Sequence, residues 1–336
     1  MDIEIGSPLR PWRQKAAAEF LAREALDYDP AIPFTVNLLD DDKIVGTGSL
    51  DGNICKCIAI DPAYQGEGLT ATIITQLRQE AFRQGLRHLF LYTKPKNRFM
   101  FEGLSFYRVA ETADTLLMEN VKGGVQQFVA KLEQPEVPGT VGAIVANCNP
   151  FTLGHRYLVE QAAAQVDTLH LFVLSEDKSF FPAADRMMLV KQGVADLKNV
   201  IVHPTGDYLI SAATFPTYFL PNREAATEVQ CLLDIAVFTQ YFIPKFGITT
   251  RYVGTEPRSP MTGQYNKALK QYLPIPVREV PRLEVNKEPV SASTVRATMK
   301  ENPALLKNLV PDTTYDYLIH FLKEDPSCKN AEQPTF

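Results

Sequence analysis

The apolar positions of the chain follow two rhythms, one on each side of a polar break. In the first part, FTVNLLDDDKIVGTGSLDGNICKCIAI, Phe34 to Ile60, reads as a strand, a turn at Asp40 to Asp42 and further strands. LTATIITQLRQEAFRQG follows. Its Leu69, Ile73, Leu77 and Ala81 recur at four-residue steps with Ile74 beside them, which predicts one helical face, and Gly85 stops the helix. HLFLYT reads as a strand, and SFYRVAETADTLLMEN as a closing β pair. The first part is therefore mixed α and β.

The second part alternates regularly. A strand over Thr140–Asn147 leads to a helix ending near Val166, then come a strand at Thr168–Leu174, a helix near Ala184–Leu197 and a strand at Val200–His203. A long helix from Glu224 to Phe242 is expected to stop before Pro244. Strands at Thr250–Gly254 and Val277–Val280 follow, then helices from Ser293 and Pro311. Such alternation predicts an α/β, doubly wound parallel sheet, whose ligands bind beyond the carboxyl ends of the strands. The break between the parts is Glu133–Gly139, polar and carrying two prolines and a glycine. It places the domains at 1–135 and 140–325, with the tail after Asp325 expected to be poorly ordered.

Composition narrows the function classes. The chain has 336 residues, enough for two domains, and 45% hydrophobic with 22% charged residues is ordinary for a globular protein. A net charge of -5 speaks against a general nucleic-acid or membrane-surface binder. No apolar run reaches membrane-spanning length, and MDIEIGSPLR has no secretory pattern, so a cytoplasmic location is expected. The five cysteines are odd in number and scattered, which argues against a disulfide framework. Cys55 and Cys57 alternate, which puts both thiols on one face of a strand. No histidine pair has metal-ligand spacing, so no protein-built metal site is expected.

The chemistry starts in NPFTLGHRYLVEQAAAQ, Asn149 to Gln165, at the end of the first strand of the second part. Gly154 and His155 open the next helix, where free N–H groups and the positive end of the dipole favour phosphate. Gly154 removes a side chain from the path of a ribose or phosphate, and His155 adds a donor. Read alone, the junction is better explained as a plain turn. A second stretch, Val290-Ser-Ala-Ser-Thr-Val-Arg296, also precedes a helix, with Ser291 or Ser293 as N-cap and Arg296 in the first turn. Lys178 follows the second strand end, Arg186 is a weaker candidate, and the backbone at Gly254–Pro257 is placed either to read adenine or simply to turn.

Together these stretches resemble the nucleotidylyltransferase superfamily. Its (H/T)xGH motif stands here as Thr152-Leu153-Gly154-His155, and its ISSTxxR-like motif as Ser291-Ala292-Ser293-Thr294-Val295-Arg296. Ala292 replaces a frequent serine. The resemblance implies that Thr152 and His155 contact phosphates, and that Arg296 and the Ser293 helix grip the β- and γ-phosphates of ATP. Mg²⁺ would be held mostly through the substrate.

In the first part, Asp61-Pro-Ala-Tyr-Gln-Gly-Glu-Gly-Leu-Thr70 resembles the pyrophosphate loop of GNAT acetyltransferases, with Gln65, Gly66 and Gly68 at its centre. Thr70 stands where that family has Gly or Ala. Phe101 to Arg108 resembles a later GNAT segment, and Tyr107 is either a proton carrier for a thiol or a core aromatic. A GNAT-like domain before a nucleotidylyltransferase domain resembles the [citrate (pro-3S)-lyase] ligase family over nearly the whole chain. Asp207–Ser211, Thr214–Pro216, Val253–Pro257, Tyr265-Asn266 and Pro281-Arg282 add to the likeness. It implies ATP-dependent activation of acetate, then acetylation of a CoA-like thiol on the acyl-carrier subunit of citrate lyase. Ser211 and Thr214 are candidates for the acyl pocket. The residues alone leave open an adenylyltransferase making a dinucleotide-type cofactor, an acetyl-CoA-dependent acetyltransferase with a fused nucleotide-binding domain, or a non-catalytic docking module.

Overall fold

A computed structural model describes residues 1–134, 139–176, 179–209, 216–220, 226–256, 259–285 and 288–324. The chain divides into two compact units, Met1–Gln127 with Phe215–Val237, and Phe128–Thr214 with Phe238–Phe336. Among the described residues no helix is long and apolar enough to cross a membrane.

The first unit is built on β1 (Asp2–Gly6), α1 (Pro11–Arg23), β2 (Phe34–Asp40), β3 (Lys43–Asp51), β4 (Ile54–Ile60), α2 (Leu69–Arg83), β5 (Phe90–Thr93), α3 (Arg98–Glu102), β6 (Tyr107–Glu111) and β7 (Leu116–Glu119). Helix α4 (Gly124–Lys131) then runs out of the unit. The seven strands lie in the order β1-β2-β3-β4-β5-β7-β6, and only β4 and β5 pair in parallel. Asp41 and Asp42, both at positive φ, make the two-residue hairpin between β2 and β3. The α2 stripe Ile73, Ile74, Leu77 and Ala81 packs on one side of the sheet, and Ala17, Phe20 and Leu21 of α1 pack in a separate cluster.

Strand β4 carries a bulge. Ser49 faces Lys56 while Thr47 faces Ala59, so β4 has one residue more than β3, and Cys57 takes a positive φ of 56°. The extra residue overturns the expectation that Cys55 and Cys57 share a face. Cys55 lies in the α2 cluster and Cys57 in the α1 cluster. A bulge also bends its strand, and β4 pairs with β5 only at Ile54–Phe90 and Cys55–Leu91 before the two diverge.

The segment from Phe215 completes this unit. Helix α7 (Ala226–Val237; α5 and α6 belong to the second unit) packs against β6. The Tyr218 hydroxyl donates to the carbonyl of Tyr92, and the Tyr218 carbonyl accepts from the Asp27 amide at 2.8 Å. A single division near residue 135 therefore differs from the observed units, because these contacts return a later segment to the first sheet.

The second unit contains β8 (Val141–Ala146), α5 (Leu153–Ala163), β9 (Thr168–Val173), α6 (Ala183–Gly193), β10 (Val200–Pro204), α8 (Ile243–Phe246), β11 (Thr250–Gly254), α9 (Pro260–Tyr272), β12 (Val277–Val280), β13 (Glu284–Val285), β14 (Glu288–Pro289), α10 (Ala292–Glu301) and α11 (Asp312–Glu324). The sheet order is β10-β9-β8-β11-β12, with every pairing parallel. Strand order reverses between β8 and β11, the switch point at which open α/β sheets bind ligands. The helix expected over Glu224 to Phe242 does not stop before Pro244. It passes through a π-turn at Phe238–Phe242 into α8, where Pro244 occupies the first turn and its missing N–H costs little.

His170 of β9 and His203 of β10 are buried side by side, with Nδ1 of one 2.9 Å from Nε2 of the other and Phe172 and Phe246 against both rings. Burial lowers their pKa values to about 4 and about 3. The unfolded chain takes up these protons near pH 6.5 and the folded chain does not, so their contribution is complete above pH 6.5 and is lost as pH falls toward 4. Urea titrations should therefore show stability rising from pH 4 to pH 6.5. The double variant His170→Asn, His203→Gln should flatten part of that slope.

Candidate active site

The junction after β8 is anchored by a buried aromatic ring. Asn149-Pro150 is a cis peptide and Phe151 is fully buried, its ring filling the space where a side chain on Gly193 would stand. Thr152 then caps α5. Its Oγ1 accepts from the His155 amide at 3.2 Å, and its own amide donates to His155 Nδ1 at 3.1 Å. This is a capping box with histidine in the place of glutamate.

The cap decides the state of His155. Nδ1 accepts the Thr152 N–H and lies 2.9 Å from Thr152 Oγ1, so the ring proton belongs on Nε2. Burial, assisted by the Arg282 charge, lowers the His155 pKa to about 4. The expected cationic cradle is thereby corrected, because near pH 7 His155 is a neutral imidazole donating through Nε2–H.

Gly154 has a role that its sequence position did not reveal. A Cβ there would lie 2.6 Å from the Val290 carbonyl oxygen, so the backbone before α10 occupies the space assigned to a ligand. This contact brings the two motifs together. Ser291 caps α10 by accepting from the Thr294 amide at 3.1 Å, and its hydroxyl lies 2.9 Å from that of Ser293. Of the two expected caps it is therefore Ser291, with Ser293 in the first turn. Arg296 Nη1 donates to the Asn149 carbonyl and ties α10 to the β8–α5 loop. Burial lowers the Arg296 pKa from its ordinary value.

Thr152, Gly154, His155, Gly254, Ser291, Ser293 and Arg296 all line one cavity of about 550 Å³ at the carboxyl ends of β8 and β11. A Cβ on Gly254 would meet nothing within 4 Å, so the cavity is open there. Its neighbours are committed internally. The Gly254 carbonyl accepts from Asn266 Nδ2 at 2.9 Å, and the Thr255 amide donates to the Val280 carbonyl at 2.9 Å. Arg282 and Glu256 form an ion pair on the same wall, and Arg282 Nε donates to the Thr255 carbonyl at 2.6 Å. Both Arg282 and Asn266 were visible only as family matches, without a role.

Arg186 is not part of the cavity lining. It is fully buried, and its guanidinium donates to the carbonyls of Phe181, Asn147, Leu174 and Glu176. It holds together the loops after β8 and β9. Lys178, Ser211 and Thr214 lie outside the described residues. Among the described residues no cluster of three or more His, Cys, Asp or Glu could hold a metal ion.

A second cavity, of about 490 Å³, lies in the first unit. Gln65, Gly66, Gly68 and Thr70 line it, with Lys94, Lys96, Asn97, Met100 and Tyr218. Gly68 caps α2 at φ 76°, a left-handed conformation that favours glycine and exposes the first helical amides. Tyr107 does not line this cavity, whereas Tyr64, Tyr92 and Tyr218 do. No sequence signal pointed to Tyr218, which reaches the first unit from far along the chain.

Comparisons with known proteins agree with this two-part arrangement. Residues 141–318 match the citrate lyase ligase C-terminal domain, and residues 1–108 match the acetyltransferase (GNAT) family. The [Citrate [pro-3S]-lyase] ligase of Klebsiella pneumoniae is 41% identical over 323 residues, covering 93% of this chain and 94% of that protein. The chain belongs to the citrate lyase ligase family. A second member, the [Citrate [pro-3S]-lyase] ligase of Escherichia coli (strain K12), is 38% identical and covers 95% of this chain and 94% of that protein. A solved acyl-CoA N-acyltransferase from Pseudomonas aeruginosa superposes with a TM-score of 0.32 at 14% identity, covering 36% of this chain and 100% of its own. The family is one of ligases, and its GNAT-like and parallel-sheet halves correspond to the two sheets described above.

Gly154→Ala tests how the motifs are joined. The added methyl meets a backbone carbonyl rather than a side chain that can turn away, so the Val290–Arg296 segment must move. The expected cost is about 1–3 kcal/mol of stability. A denaturant titration should find it.

Proposed function

We propose that the chain activates acetate with ATP as acetyl-AMP, releasing pyrophosphate, and then acetylates the thiol of a dephospho-CoA-type prosthetic group on the citrate lyase acyl-carrier subunit. The observation that carries this reading is the meeting of Thr152–His155 and Ser291–Arg296 on one cavity, fixed by the Gly154–Val290 approach.

The residues fit a triphosphate. Two helix N-termini, those of α5 and α10, present amides to the cavity, and Arg296 adds a permanent charge. Mg²⁺, when bound, offsets phosphate charge mostly through the nucleotide's own oxygens. An acetate oxygen attacks the α-phosphorus as the bond to pyrophosphate breaks. His155 Nε2–H donates to the phosphate oxygens and, being neutral, holds its proton through the step. Arg296 and the α10 amides take up charge on the leaving pyrophosphate. Lys178 is proposed as a further cation and Gly254 as part of the nucleotide wall.

In the second half-reaction the thiol sulfur attacks the acetyl carbon and AMP leaves. Gln65, Gly66 and Gly68 at the start of α2 are proposed to hold the pyrophosphate of the arm, with the apolar wall of Ile58, Ile60 and Met100 beside its pantetheine portion. The cytoplasm is proposed as the place of action.

His155→Ala should lower acetate-dependent ATP–pyrophosphate exchange by about 100-fold or more, the usual effect of losing a donor to developing charge. Near-normal exchange would remove His155 from the mechanism. With its pKa at about 4, protonation of His155 should produce no loss of exchange between pH 6 and pH 8. The complete reaction is tested by supplying ATP, Mg²⁺ and acetate with and without deacetylated citrate lyase. AMP and a new carrier thioester are expected only with it. A dinucleotide product would refute the proposal.

A further inference from the structure

The cavity of the first unit crosses its sheet. Ile58, Ile60, Leu69, Leu91 and Phe101 in its lining belong with the α2 cluster, whereas Leu26, Ala59 and Tyr218 belong with the α1 cluster. The passage is the gap left where β4, bent by its bulge, leaves β5 after Cys55–Leu91. The two ends differ chemically. At the α2 end are Gly66, Gly68 and the helix amides, with Lys94 and Lys96 nearby on the lining. At the α1 end are Tyr218, Phe219 and Glu24, the residue that ends α1.

An arm with an anionic head and a long neutral tail enters such a passage in one direction. Its diphosphate stays at the α2 amides and its tail runs through the gap, so its terminal thiol arrives at the α1 end. There the thiol must lose a proton, because thiolate is the nucleophile and an ordinary thiol is mostly protonated near pH 7. The lining offers few acceptors. Lys94 and Lys96 are cations, and the Tyr64 hydroxyl donates to Asp40 Oδ2 at 2.6 Å. The Tyr218 hydroxyl donates to the Tyr92 carbonyl, and burial raises its pKa well above the ordinary value. Tyr92 is likewise a phenol, and its carbonyl is already taken by the Tyr218 hydroxyl. Glu24 is the one carboxylate among the described lining residues, and it is partly exposed.

The geometry points to Glu24 as the general base of acyl transfer. The inference rests on the proposed reaction and deepens it. The carboxylate of Glu24 takes the thiol proton as the sulfur attacks the acetyl carbon of acetyl-AMP. The carbon–oxygen bond to the phosphate breaks, AMP leaves with that electron pair, and the proton passes from Glu24 to water. Tyr218, locked to the β5 backbone, is a positioning residue that walls the end of the passage.

The test uses the full chain, presynthesised acetyl adenylate and the thiol form of the citrate lyase acyl-carrier subunit, above the uncatalysed rate. Glu24→Gln should slow transfer by about 100-fold at pH 7, the low end of general-base contributions. The defect should shrink as pH rises toward the thiol pKa near ~8.5, where thiolate forms unaided. ATP–pyrophosphate exchange, measured on the same samples, should be unchanged. Wild-type transfer by the variant would overturn the assignment, as would a defect equally deep at every pH, the mark of a structural role. Absence of exchange in the wild-type chain counts against the adenylation reading alone, since transfer from supplied acetyl adenylate does not depend on it.

Discussion

The second unit depends on a backbone contact for which one residue must lack a side chain. The Val290 carbonyl lies where the Cβ of Gly154 would be, and α5 and α10, distant in sequence, therefore begin side by side. Arg296 reinforces the approach from the other direction by donating to the Asn149 carbonyl. Each helix N-terminus alone is a weak anion site, worth a few tenths of a kcal/mol to about 1 kcal/mol toward a charge. Here two of them converge with a guanidinium on one cavity. The buried Phe151, packed against Gly193, anchors the loop on which this convergence depends.

Much of the fold was legible because it rests on local periodicity. Thr250–Gly254 and Val277–Val280 are strands over the residues expected, since short apolar runs between turn residues leave few alternatives. The first helix escaped notice despite Pro11 at its start, and α9 was hidden by polar residues and Gly263 in its sequence. Pro244 misled for a specific reason: it begins a turn of helix instead of ending one. The Cys55 and Cys57 faces were misread because a bulge adds one residue, and neither thiol's sequence context announces a positive φ.

The candidate site was legible in its membership but not in its electrostatics. Motif spacing grouped Thr152, Gly154, His155, Ser291, Ser293 and Arg296, which line one cavity. That His155 is neutral follows from three-dimensional facts: an Nδ1 acceptor role imposed by the Thr152 cap, desolvation, and a facing Arg282. Arg186 shows the converse. A lone arginine near a strand end resembles a ligand in sequence, yet its four backbone carbonyl partners make it a brace.

The return of residues 215–237 to the first unit bears on how the two halves can be separated. The chain passes between units at 127/128, 214/215 and 237/238, so no single cut yields both units whole. A fragment ending near residue 135 keeps the glycine loop but loses the Tyr218 wall and the α7 helix that covers β6. The complementary fragment carries those pieces with no sheet to receive them. In this architecture the first-unit cavity is not a transferable module, and gene fusions or truncations drawn at the apparent sequence boundary would inherit an unfinished wall.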